Sequence, residues 1–141
     1  MIKTKNISEM LTSLIEEYRF NKNTLSKYLE ITEETVDLVM GNVECLPDDP
    51  VLRLKILSKV GFLYFGAIED KDRQLSGFLE VLVSYHGISK LTIAKMAGVE
   101  EQDIDRLLAN PPEKVEIEVK YKIAVTVMEL RFWLKDCESP I

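Results

Sequence analysis

Three sets of side chains in this 141-residue chain have types and spacings that could do chemistry. The first is a carboxylate cluster, Glu100, Glu101, Asp103 and Asp105. Two carboxylates at a fixed separation can serve as general acid and base, but acids interleaved with apolar residues at helical spacing also make an ordinary solvated helix face. The second is His86 with Cys45 and Cys137. One histidine and two isolated cysteines without CxxC spacing supply neither a zinc ligand set nor a nucleophile with its base. Glycine-rich phosphate loops, GxSxG and HExxH runs are also missing. The expectation is a protein that is not an enzyme and needs no metal or cofactor. The third set is cationic: Lys22 and Lys27, then Lys90 and Lys95, the same pair written twice.

Those lysines belong to an internal repeat. Residues 10–42 lie over 78–110 at a constant shift without a gap. Leu11 falls on Leu79, Leu14 on Leu82, Lys22 on Lys90, Thr24 on Thr92, Lys27 on Lys95, Glu33 on Glu101, Asp37 on Asp105 and Asn42 on Asn110. Apolar character holds between the identities, as in Leu25/Ile93, Ile31/Val99, Val36/Ile104 and Val39/Leu107. A repeat fixes the domain count and makes each half a check on the other. The expected division is 1–70 and 71–141. Each half is about the size at which one core only just suffices, so an interface between them is expected. The charged stretch Glu69–Gln74 marks the boundary and can open the next helix.

The elements follow from spacing and caps. In the first half, helices are expected over Ile7–Tyr18 (capped by Asn6 or Ser8), Thr24–Leu29 and Glu33–Met40. Asn21-Lys22-Asn23 is read as the break between the first two. Asp49-Pro50 reads as cap and first residue of a fourth helix, and Gly61–Ala67 as a short packed helix. In the second half, helices are expected over Leu75–His86, Lys90–Ala97 and Glu101–Leu108, before Asn110-Pro111-Pro112 stops the chain. The segment Val115–Ile123 alternates as a strand would. The repeat instead lays it on the fourth helix, with Ile123 on Ile56, Val127 on Val60 and Leu130 on Leu63, and favours one helix from Glu113 to Lys135. That helix carries two apolar faces. One holds Ile117, Tyr121, Ala124, Met128 and Phe132; the other holds Val119, Ile123, Val127, Leu130 and Leu134. One face can serve its own core, and the other needs the first domain, a second copy or another protein. Phe62, Tyr64, Phe65, Phe132 and Trp133 are expected in a core or an interface, and His86 at a helix end.

The run Leu91–Val99 followed by Glu100–Leu107 resembles the phage-repressor (Cro/lambda-repressor-like, XRE-type) helix-turn-helix family. Ile93-Ala94, Gly98 and Val99 occupy the places of that family's Leu-Ala-x-x-x-Gly-Val-Ser turn, with Glu100 in place of Ser. In the first half Leu25-Ser26 and Ile31-Thr32 match, and Glu30 replaces the glycine. The resemblance implies an all-α fold of two such domains, each of four to five helices, packed together with a long C-terminal helix. It implies left-handed backbone at Glu30, and it puts Asn42 and Asn110 where the family's closing glycine stands, a site that needs left-handed backbone, which Asn tolerates. It also implies phosphate contacts from Lys22 and Lys90, with Lys27 and Lys95 helping to position the protein on double-stranded DNA. The face of the recognition helix would be Glu33, Glu34, Asp37 and Leu38 in the first half, and Glu101, Gln102, Asp105 and Arg106 in the second. Gln102 can read adenine and Arg106 guanine.

Charge opposes this reading. Residues 1–74 and 75–141 each carry −3 of the chain's net −6, so no basic domain hides behind an acidic tail. Phosphate neutralisation supplies most of the affinity of nucleic-acid binders. Two functions are therefore weighed: a small transcriptional regulator with tandem helix-turn-helix domains, dimeric on its operator, and an acidic interaction module that keeps the fold but no longer binds DNA. No apolar run reaches membrane-spanning length and residues 1–10 lack a signal-peptide core, so a cytoplasmic location is expected.

Overall fold

In the computed structural model, which describes residues 5–137, regular structure consists of eight α-helices and two 3-10 turns, with no strand among the described residues. The chain divides into two compact units, Met1–Ile68 and Glu69–Ile141. The first holds α1 (Ile7–Glu16), α2 (Lys22–Leu29), α3 (Glu33–Gly41), a 3-10 turn (Val43–Cys45) and α4 (Pro50–Ile68). The second holds α5 (Lys71–Ser84), α6 (Lys90–Ala97), α7 (Glu101–Leu108), α8 (Ile117–Leu134) and a 3-10 turn (Lys135–Cys137).

Each unit is closed by its own core. Leu11, Leu14, Leu25, Leu29, Val39, Ile56 and Val60 meet in the first, and Leu79, Leu82, Ile93, Ile104, Leu107, Ile123 and Val127 in the second. In both, the first and last helices pack together and the two short helices pack on each other. Full burial of one such side chain contributes about 1.5–3 kcal/mol, and a helix of eight residues is held mainly by burial of this kind.

Helix starts follow the caps in the sequence. The side chains of Asn6, Asn21, Thr32, Asp70 and Ser89 each accept the backbone N–H three residues on. Asn21 therefore starts α2 rather than breaking the chain, and the helix begins at Lys22, ahead of the expected Thr24. The break lies earlier, at Arg19, where φ is 58°. Asp70 likewise opens α5 at Lys71, four residues before the expected start. Gly61–Ala67 is no separate helix but the last part of the 19-residue α4. Val115–Ile123 forms no strand: α8 begins at Ile117, and Val115 ahead of it is buried in the second core.

Among the described residues, four take left-handed backbone, in two matched pairs. Arg19 (φ 58°) corresponds to Gly87 (φ 68°), and Glu30 (φ 58°) to Gly98 (φ 73°). At the first pair, the N–H of Phe20 reaches the Leu14 carbonyl and that of Ile88 the Leu82 carbonyl, both at 3.0 Å. At the second, Ile31 donates to Ser26 at 3.1 Å and Val99 to Ala94 at 3.0 Å. Asn42 departs from its expected left-handed geometry. It is extended, with φ −155°, and its side-chain oxygen accepts the Glu44 N–H, so it opens a 3-10 turn. Asn110 is not left-handed either.

The aromatic expectations separate. Tyr64 is buried, whereas Phe62, Phe65, Phe132 and Trp133 are all at least half exposed. Of the two apolar faces of α8, the one holding Ile123, Val127 and Leu130 is in the core, and the one holding Ile117, Tyr121, Met128 and Phe132 is exposed. His86 follows the end of α5, its ring edge-on to Tyr85 at 5.0 Å. No helix among the described residues is long and apolar enough to cross a membrane.

Candidate nucleic-acid interface

The residues singled out in the sequence lie on two short helix pairs, α2–α3 and α6–α7. The leading helix of each pair buries Leu25 and Leu29, or Ile93 and Ala94. The chain then turns through Glu30 or Gly98, and the second helix buries Val36 and Val39, or Ile104 and Leu107. Burial on one side leaves Glu33, Glu34, Asp37 and Leu38 exposed on α3, and Glu101, Gln102, Asp105 and Arg106 exposed on α7.

Lys22 and Lys90 are the first residues of their helices, and each reaches across to the second helix of its pair. Lys22 Nζ lies 2.7 Å from Asp37 Oδ1, and Lys90 Nζ 2.8 Å from Asp105 Oδ1. The hydrogen bond to the aspartate, reinforced by its charge, holds each ammonium above its ordinary pKa. Lys22 and Lys90 are thus cations whose nearest anion is already present. Surface pairs of this kind are weak and screened by salt, so a phosphate can compete for the ammonium.

The remaining expected site residues are placed differently. Lys27 and Lys95 are exposed in the last turns of α2 and α6, where a cation favours the helix C-terminus. Gln102 and Arg106 are both exposed, one helical turn apart on α7. Arg106 Nη1 is 3.2 Å from Asp103 Oδ1. The second Asp103 oxygen accepts the Glu100 N–H at 3.2 Å, which fixes the start of α7. Of the four carboxylates in this cluster, Asp103 therefore caps the helix and orients Arg106, and Asp105 neutralises Lys90. Two of the acids, Asp103 and Asp105, are thus ion partners of cations, while Glu100 and Glu101 lie on the exposed face.

Two functional features escaped the sequence reading. One is the Lys22–Asp37 and Lys90–Asp105 pairing. Its signal was the identical separation of the two residues in both halves. The other is Lys59, on α4. Its ammonium donates to the Tyr28 carbonyl at 2.7 Å, lies 5.0 Å over the Tyr28 ring and sits 3.6 Å from the Glu30 carboxylate. It thus holds the left-handed corner of the first helix pair from outside. No local spacing links residues so far apart in sequence.

Helix, left-handed corner and second helix, with exposed polar groups on the second, can lay one helix against a groove while lysines meet phosphates. A family model described as a helix-turn-helix domain matches residues 2–140. No curated protein and no solved structure matches the chain.

Proposed function

The chain belongs to the helix-turn-helix domain family, and from that premise we propose that it is a DNA-binding transcriptional regulator carrying two phage-repressor-type motifs in tandem. The observation that carries the reading is the repeated corner. Glu30 and Gly98 share left-handed backbone at the end of the leading helix, and Lys22 and Lys90 stand at the matching place at its start. In this reading 1–70 and 71–141 are duplicated domains, and double-stranded DNA in the cytoplasm is the partner. Lys22, Lys27, Lys90 and Lys95 meet phosphates, while Gln102 and Arg106 read bases.

The second unit is the better reader. Gln102 and Arg106 offer donors to base edges, whereas Glu33, Glu34 and Asp37 offer only acceptors, which suit little beyond a cytosine amino group. The test is a salt series of duplex binding with Lys22→Ala and Lys90→Ala. Each lysine removed should lower the slope of log K against log salt by about 0.9. A slope unchanged in both variants refutes their role. Arg106→Ala should cost about 1–3 kcal/mol of discrimination at one base pair. Equal preference before and after refutes base reading by Arg106.

One observation favours a second reading, the acidic interaction module. Lys22 and Lys90 are already paired with Asp37 and Asp105, and the first recognition face, with Glu33 and Glu34 besides, keeps a negative balance. Binding to DNA at low salt separates the two.

A further inference from the structure

We propose that the exposed apolar face of α8 is a two-fold interface with a second copy of this chain, the two α8 helices lying antiparallel. This inference does not depend on DNA binding. The helix has two opposed apolar sides. Ile123, Val127 and Leu130 fill the core of their own unit. On the opposite side, Ile117, Tyr121, Val125, Met128 and Phe132 follow at spacings of three and four, with exposures of 82%, 68%, 37%, 68% and 64%. Trp133, 59% exposed, extends the stripe at one edge. Single exposed apolar residues need no explanation, but a contiguous stripe of this length does. Large side chains each present on the order of 100 Å² or more. Together they approach the roughly 800 Å² per partner of a standard interface.

A second copy fits because the stripe reads alike from both ends. With the helices antiparallel and centred between Ala124 and Val125, Ile117 faces Phe132, Tyr121 faces Met128 and Ala124 faces Val125 of the other copy. Large residues meet at the ends and smaller ones at the centre, which lets the axes approach to about 8–10 Å. Along one edge the same register brings Lys122 beside Glu129 of the second copy, twice per dimer. A parallel two-fold pair would instead turn this edge toward the opposite edge of the partner helix, separating Lys122 from Glu129, and would align the helix dipoles. The present partner of Lys122 is Glu118 at 3.9 Å, one turn away on the same exposed edge, a pair weak enough to yield.

The test is sedimentation velocity of the full chain over a concentration series, without DNA. Trp133, the only tryptophan, reports through a blue-shifted emission on association. The expected result is a monomer–dimer equilibrium that Met128→Glu weakens by about a hundredfold, with helical circular dichroism retained. Lys122→Glu and Glu129→Lys should each weaken the dimer about tenfold, since two facing pairs are lost. The combined charge swap should restore it to within about threefold of the wild type. A chain that stays monomeric up to about 100 µM, well above a micromolar Kd, overturns the proposal. So does a trimer, a dimer indifferent to Met128→Glu, or a charge swap no better than its single variants. Should Met128→Glu unfold the chain, the charge series, which touches only exposed side chains, decides.

Discussion

Replacing Gly98 by alanine isolates the backbone geometry of the α6–α7 corner. Gly98 has φ 73° and ψ 38°, and a Cβ built there meets nothing within 4 Å, so no steric clash enters. An L-residue in this conformation is strained by about 1–2 kcal/mol. Alanine returns about 0.4–1 kcal/mol by restricting the unfolded chain. The net expectation is a loss of about 1 kcal/mol, or a fall in Tm of about 4–8 °C for a unit of this size. The matched position supplies the reciprocal experiment. Glu30 already bears the strain at φ 58°, so Glu30→Gly should relieve about 1 kcal/mol. It would lose the 3.6 Å contact to Lys59, a surface pair worth about 0–1 kcal/mol. Lys59 would keep its bond to the Tyr28 carbonyl. The net gain should be about 0.5 kcal/mol. Urea unfolding followed by circular dichroism reads both, with an unchanged m-value certifying that only stability moved. A Gly98→Ala variant as stable as the wild type, or more stable, would refute the left-handed corner and with it the angle at which α7 is presented.

Three further outcomes are expected. Ile104→Ala, at a fully buried position of the second core, should destabilise that unit by about 2–5 kcal/mol in urea unfolding, and a loss below about 1 kcal/mol would contradict the packing. Asp105→Asn frees Lys90 and removes one repelling acid from α7, so duplex binding at low salt should tighten about threefold to tenfold. Weaker binding in anisotropy would contradict competition between Asp105 and phosphate. The third outcome concerns alkaline pH. Lys22 and Lys90 have folded pKa values raised above the ordinary 10.5, so each stabilises fully below 10.5 and loses that contribution as pH rises through its folded value. The drop in urea midpoint between about pH 9 and about pH 11.5 should therefore be smaller in Asp37→Asn/Asp105→Asn than in the wild type, and equal drops would contradict it.

Much of the fold was legible because local signals agreed with the repeat. Lys90–Ala97 and Glu101–Leu108 came out with the expected bounds, since Ser89 caps the first and Gly98 ends it. The helical reading succeeded from Ile117 onward, against the local period, because Ile123, Val127 and Leu130 had to fill the places of Ile56, Val60 and Leu63, while the expected first turn from Glu113 to Glu116 lies outside α8. Boundaries failed where one polar residue can either cap or break. Asn21 reads as a break in the sequence and instead starts α2; the charged stretch reads as able to open a helix, and Asp70 does so four residues ahead of the expected Leu75. Asn42 was misplaced because its side chain offered a capping bond that left-handed backbone did not need to supply. At the candidate site, spacing gave the lysines and the exposed face of α7. It did not give their ion partners, because the reach from Lys22 to Asp37 and from Lys90 to Asp105 crosses between helices and depends on the corner between them.

Binding of the full chain to random-sequence duplex DNA, followed by fluorescence anisotropy from low to physiological salt, tests the central claim most directly. The account predicts binding at low salt that falls steeply as salt rises. The slope of log K against log salt should be about −2 to −4 if two to four of Lys22, Lys27, Lys90 and Lys95 meet phosphates. Absence of binding at the lowest salt would contradict DNA recognition and leave the acidic helix-turn-helix surfaces as protein-binding faces.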